Sequence, residues 1–165
     1  MTRSVNLNKV AVQNTNGLFP DELPGISVLS SDKFQAWDAF VLSCPEATFF
    51  HRAGWQTVIE QAFGHKTWFL YIEEGGHIQG VLPLAEVNSM LFGHSLSALP
   101  FCVYGGIAAV SDSVRIKLDQ AAQILAARLK VDYLEYRNLQ PFHQDWPTKD
   151  LYVTFRKTID PDVEQ

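Results

Sequence analysis

The sequence predicts an α+β (α/β) domain: a mixed, largely antiparallel sheet flanked by helices. Residues 67–99 hold three apolar, β-branched and aromatic runs separated by Gly-containing turns, the pattern of an antiparallel meander. Residues 112–130 repeat apolar side chains at helical spacing, and another strand-like run follows at 131–138. A helix between a meander and a further strand makes a crossover, which lays helices on the sheet.

The elements follow in order. Residues 1–24 are rich in Asn, Thr and Gly and close on Pro20 and Pro24, so they read as a flexible leader. The domain is expected at 25–158, with a loose acidic tail at 159–165. Ile26-Ser27-Val28-Leu29-Ser30 alternates well enough for a short strand. Ser30 or Ser31 can cap the next helix, with Asp32 in its first turn. Phe34, Trp37 and Val41 share its inner face, and Pro45 ends it. A second helix is expected at 54–62, with Trp55, Val58, Ile59 and Ala62 as its stripe and Gly64 as its stop.

A strand at 67–72 turns at Glu74-Gly75-Gly76-His77 and returns at 78–87, where Pro83 predicts a bulge or an edge. A turn at Leu91-Phe92-Gly93-His94 leads to a third strand at 95–99. The long helix places Val114, Leu118, Ala121, Ala122, Leu125 and Leu129 on one face. A strand at 131–138, a loop at 141–149 and a last strand at 151–157 complete the order.

Length and composition set limits. A chain of 165 residues with a 47% apolar share is most simply one folded domain. Eleven Phe, five Tyr and four Trp make an aromatic core or an aromatic groove. A net charge of -5 without a Lys/Arg cluster speaks against a DNA or other nucleic-acid partner. No apolar run reaches membrane-spanning length, and the polar start carries no secretory signal, so a cytoplasmic location is expected. Cys44 and Cys102 read as buried reduced thiols. No His/Cys/Asp/Glu spacing suits a metal, so no metal site is expected.

Three blocks carry the functional signal: Thr48-Phe49-Phe50-His51-Arg52-Ala53-Gly54-Trp55, Pro100-Phe101-Cys102-Val103-Tyr104-Gly105-Gly106, and the run from Asp145-Trp146-Pro147 to Phe155. Each sets bulky aromatics beside Gly or Pro and adds polar groups, a mixture that burial alone does not require. His51 can act as a general base and Arg52 as an anion clamp, or both can cap and solvate a helix entry. Trp55 is either a ligand platform or the first residue of the apolar stripe. Tyr104 can orient or protonate a leaving group, or pack with its hydroxyl wet. Gly105 and Gly106 allow a backbone to approach a ligand. Cys102 as a nucleophile would need a base and an electropositive setting.

Arg137 and Asn138 end the strand after the crossover, where ligands of open sheets collect. Arg137 is the anion-binding candidate, with an ion pair to Glu135 as the alternative. His143, Trp146, Lys149 and Asp150 crowd one loop, suited to a peptide or sugar-phosphate groove or to a loop pinned by Trp146.

The order of elements resembles the acyltransferase fold of the GCN5-related N-acetyltransferase (GNAT) superfamily. The series Phe49-Phe50-His51-Arg52-Ala53-Gly54-Trp55, Phe63-Gly64-His65, Val81-Leu82-Pro83-Leu84, Pro100 to Gly106, Asp132 to Asn138 and Trp146 to Asp150 is similar to the amino-terminal half of FemAB-like proteins, especially those of exosortase/PEP-CTERM exopolysaccharide loci. The likeness spans residues 26–157. It implies an acyl or aminoacyl transferase acting on cell-envelope or exopolysaccharide precursors. The wider Fem family moves amino acids from aminoacyl-tRNA to peptidoglycan precursors and is built from two GNAT-like domains.

The resemblance therefore implies an acyl donor such as aminoacyl-tRNA or acyl-CoA and a small-molecule or peptide-like acceptor. This chain has half the expected length, so a second GNAT-like domain or a homodimer partner is implied too. A noncatalytic binding or assembly domain is the competing expectation. Catalytic roles would fall to His51, Tyr104 and Arg137, and substrate contacts to Arg52, Trp55, Gly105, Gly106, Asn138, Trp146 and Lys149. One departure stands out. The GNAT cofactor loop resembles Arg/Gln-x-x-Gly-x-Gly/Ala, whereas this chain has Tyr104-Gly105-Gly106-Ile107-Ala108-Ala109. Acetyl-CoA is not assigned on that interval.

Overall fold

In chain order the elements are β1 (Ile26–Val28), α1 (Phe34–Ser43), α2 (Gly54–Phe63), β2 (Lys66–Glu74), β3 (His77–Ser89), β4 (Gly93–Ala98), β5 (Ala108–Ala109), α3 (Asp112–Leu129) and β6 (Tyr133–Glu135). Short 3-10 turns, Ser31–Lys33 and Phe49–His51, precede the first two helices. The computed structural model describes residues 25–90, 93–140, 142–149 and Phe155. The expected leader, the tail and, apart from Phe155, the last strand lie outside these residues.

The sheet runs β1-β2-β3-β4-β6, antiparallel except for the parallel pair β4–β6, and β5 pairs antiparallel with β3. Alternation along β2 decides the layers. Phe69 and Tyr71 join Trp37, Phe40, Val41 and Ile59 under α1 and α2. Trp68, Leu70 and Ile72 join Val114, Leu118, Ala122 and Leu125 under α3. The strand is covered on both faces, which explains its near-continuous apolar run. The α3 stripe packs as its spacing predicts: Val114, Leu118, Ala121, Ala122 and Leu125 are all buried. Ser111 caps this helix by accepting the Val114 amide on its hydroxyl.

Some expectations change. Ile59 is the one buried residue of α2, while Val58 and Ala62 face solvent, because that helix packs mainly along β2. The strand after α3 pairs over only Tyr133–Glu135. Ser30 makes no side-chain cap bond to the helix backbone and bonds the Asp32 carboxylate instead.

Pro83 lies inside β3, opposite Phe69 of β2, rather than at a bulge. On the other side of β3, β5 pairs with Gly80 and Val81, and β4 pairs from Leu84 onward. Pro83 falls in the gap between them, where its missing N–H leaves no ladder bond unmade. The chain leaves the sheet at Leu99, with a left-handed φ of 50°, and rejoins the same edge at Ala108. That excursion builds the site. Among the described residues no helix is long and apolar enough to cross a membrane.

Candidate functional site

A cavity of about 200 Å³ lies beyond the carboxyl ends of the parallel strands β4 and β6. Four stretches line it: Glu46, Thr48 and His51 before α2, Tyr104 to Ile107 in the excursion, Arg115 in the first turns of α3, and Arg137 to Gln140 with Phe142 after β6. The sequence thus brings His51, Tyr104, Gly105, Gly106, Arg137 and Asn138 to one place from three distant segments.

His51 sits on the 3-10 turn that Trp37 anchors, the buried indole Nε1–H donating to the His51 carbonyl at 2.6 Å. Its Nδ1 accepts the Thr48 amide at 3.1 Å, closing a reciprocal capping box. Nδ1 is therefore the unprotonated ring nitrogen, and the ring also bonds the Gly106 backbone. Burial pushes the imidazole pKa down to about 4, with the bond to the Gly106 backbone opposing it only in part. His51 is neutral at pH 7 with its hydrogen bonds made. Of the two readings offered by the sequence, the capping one is seen in the box with Thr48.

The glycine loop is held from both sides. Gly105 N–H donates to the Arg137 carbonyl at 3.0 Å. A Cβ on Gly105 would lie 2.8 Å from the Ala98 carbonyl oxygen, and one on Gly106 (φ 135°) would lie 2.0 Å from Asn138 Oδ1. Arg137 donates from Nη1 to the Cys102 carbonyl at 2.8 Å and pairs through Nε with Glu135 at 3.0 Å. The ion pair left open as its alternative is formed, and the same side chain braces the loop. Tyr104 is half-buried beside it.

Two charged residues escaped sequence reasoning. Glu46 Oε1 pairs with Arg115 Nη2 at 2.6 Å, and its Oε2 accepts the Ala109 amide at 3.1 Å. This carboxylate ties the α1–α2 connection to β5 and α3 across the cavity. The only signal was a lone acid following Pro45, outside any aromatic block.

Four expected contact residues lie elsewhere. Arg52 pairs with Asp38 of α1 at 2.8 Å. Trp55 packs against Phe49 and Phe50. Trp146 stacks on His143, centroids 3.9 Å apart, and on Tyr136. Lys149 reaches Glu135 at 3.5 Å from an exposed position. Packing and ion pairing claimed these groups. Among the described residues no three His, Cys, Asp or Glu side chains are grouped to hold a metal. Cys102 is buried, and its thiol is pushed up by burial, with the Arg137 charge opposing in part.

In the interval matched to the GNAT cofactor loop three backbone amides already have partners inside the chain: the Gly105 amide donates to the Arg137 carbonyl, the Ala109 amide to Glu46 and the Val110 amide to the Gln79 carbonyl.

The architecture is that of the GNAT fold, a mixed and largely antiparallel sheet between helices. The apo aminoglycoside antibiotic 6'-N-acetyltransferase AAC(6')-IG from Acinetobacter haemolyticus superposes with a TM-score of 0.51 at 13% identity, covering 82% of this chain and 99% of that one. At this identity the likeness is one of fold. The sequence matches no protein-family model and no curated protein.

Proposed function

We propose that the chain is a GNAT-type acyltransferase domain that joins an acyl or aminoacyl group to an amine, with the cavity at the end of β4 and β6 as its reaction site. The observation that carries this reading is the convergence of His51, Tyr104 and Arg137 on one cavity of about 200 Å³. That volume takes a group of amino-acid or monosaccharide size. The GNAT fold of the chain supports the reaction class, and the ordered blocks at 49–55, 100–106 and 132–138 support the narrower FemAB-type reading, with a cell-envelope or exopolysaccharide precursor as acceptor.

In this reading His51 is a neutral post that fixes Gly106, Arg137 holds the excursion in place, and the Tyr104 hydroxyl serves the transferred group. Because three amides of the 104–110 interval already have partners inside the chain, an ester-activated aminoacyl donor is the first to test, with acyl-CoA as the second.

The test is turnover by the purified chain with both donor classes and an amine acceptor panel, read by mass spectrometry. Ester-dependent N-acylation that Tyr104→Phe and Arg137→Ala each lower at least tenfold is the expected result. Transfer unchanged by both would overturn the site assignment. A wild-type chain inert with every donor would favour the assembly reading instead.

A further inference from the structure

N-acyl transfer at this site needs a group that takes the amine proton, and this inference rests on that reading. Five side chains lining the cavity carry titratable chemistry: Glu46, His51, Tyr104, Arg115 and Arg137. Guanidinium groups stay protonated and accept nothing, and a phenol must lose its own proton first. His51 has its ring engaged on both sides, Nδ1 accepting the Thr48 amide and the ring bonding the Gly106 backbone, so it has no lone pair open to the cavity. Glu46 remains. Its side chain is 44% exposed, so it is open to the cavity and to water. Each oxygen is held by one donor, Arg115 on Oε1 and the Ala109 amide on Oε2, which leaves a lone pair free on each and fixes the carboxylate plane.

We propose that Glu46 is the proton acceptor of the transfer reaction, aimed by Arg115 and the Ala109 amide. The acceptor nitrogen attacks the carbonyl carbon of an ester donor. As the N–C bond forms, the nitrogen gives its proton to the Glu46 carboxylate, directly or through one water. The donor C–O bond then breaks, its electron pair leaves with the alcohol oxygen, and the Glu46 carboxylic acid returns the proton there. Atoms and charge balance, and the enzyme regains its carboxylate.

The experiment measures pH–rate profiles for wild type, Glu46→Gln and Glu46→Asp with an ester donor, and adds formate to Glu46→Ala. A general base contributes roughly 10²–10⁴-fold, so Glu46→Gln should lose about that factor in kcat with little change in KM. Glu46→Asp should keep part of the rate, and formate should restore part of it to Glu46→Ala. Formate rescue separates proton transfer from the structural tie to Arg115, and it keeps the test decisive if Glu46→Gln folds poorly. A Glu46→Gln enzyme within threefold of wild type, or an Ala variant deaf to formate, overturns this role alone. Absence of any wild-type turnover overturns the transferase reading together with it.

Discussion

Gly105 and Arg137 are joined main chain to main chain, the Gly105 N–H donating to the Arg137 carbonyl at 3.0 Å. This bond ties the excursion to the segment that follows β6. It works only if the excursion lies close against Ala98, where a Gly105 Cβ would be 2.8 Å from the carbonyl oxygen and from Leu99 Cβ. Gly105→Ala should therefore cost about 1–3 kcal/mol, the usual range for forcing atoms into a packed site. Gly106→Ala meets both Asn138 Oδ1 and an unfavourable φ. Urea unfolding checks both. Asn138→Ala should relieve part of the Gly106→Ala defect and none of the Gly105→Ala defect.

His51 makes stability depend on pH. Its folded pKa of about 4 lies below the ordinary 6.5, so the unfolded chain binds a proton first as pH falls. Little is lost above pH 7. Between 6.5 and 4 stability declines, by about 2 kcal/mol at pH 5 if this residue acts alone. His51→Gln should remove that slope while lowering stability at pH 7, because the Thr48 cap is disturbed. A variant with the wild-type slope between pH 7 and 5 would show that another group sets it.

The layers were legible because periodicity reports burial directly. The α3 stripe and the two-faced run of β2 are patterns that packing preserves. β5 was not legible: two alanines carry no strand signal, and they pair only because β3 has an edge open beside Pro83. At the site, His51, Tyr104 and Arg137 stood out because each belongs to a block whose composition burial does not explain. Glu46 and Arg115 were missed since their ion pair links positions 69 residues apart, which no local pattern records. Arg52 and Trp55 were attached to His51 by adjacency. The 3-10 turn ends at His51, and the next residues point to Asp38 and the Phe49–Phe50 pair.

Asp119 is a buried carboxylate on α3 that accepts from Tyr136 Oη and His143 Nε2 at 2.9 Å each and from Gln123 Nε2 at 2.7 Å. Burial holds the Tyr136 hydroxyl protonated well above its usual range, and the Asp119 charge and hydrogen bond add to this. The folded chain should lose stability above pH 10, where the unfolded phenol ionises first. Asp119→Asn removes the charge and keeps one acceptor, so Tyr136 should titrate lower, as ultraviolet difference titration would read. Stability should fall by about 1–3 kcal/mol with the charge-assisted bonds. An unmoved tyrosine titration would mean that burial alone sets it.

Cys102 tests how firmly the excursion is closed. Its thiol is buried, its carbonyl is gripped by Arg137, and desolvation raises its pKa, so the reactive thiolate is scarce in the folded chain. Cys44 is buried as well. In native buffer a thiol-specific disulfide reagent should modify both far more slowly than a free cysteine, and urea should release both. Arg137→Ala removes the guanidinium that holds the Cys102 carbonyl while leaving the Cys44 surroundings intact. Cys102 should then react at least tenfold faster, with Cys44 unchanged. Equal acceleration at both thiols would indicate global destabilisation, and no acceleration would show that Arg137 does not hold this segment shut.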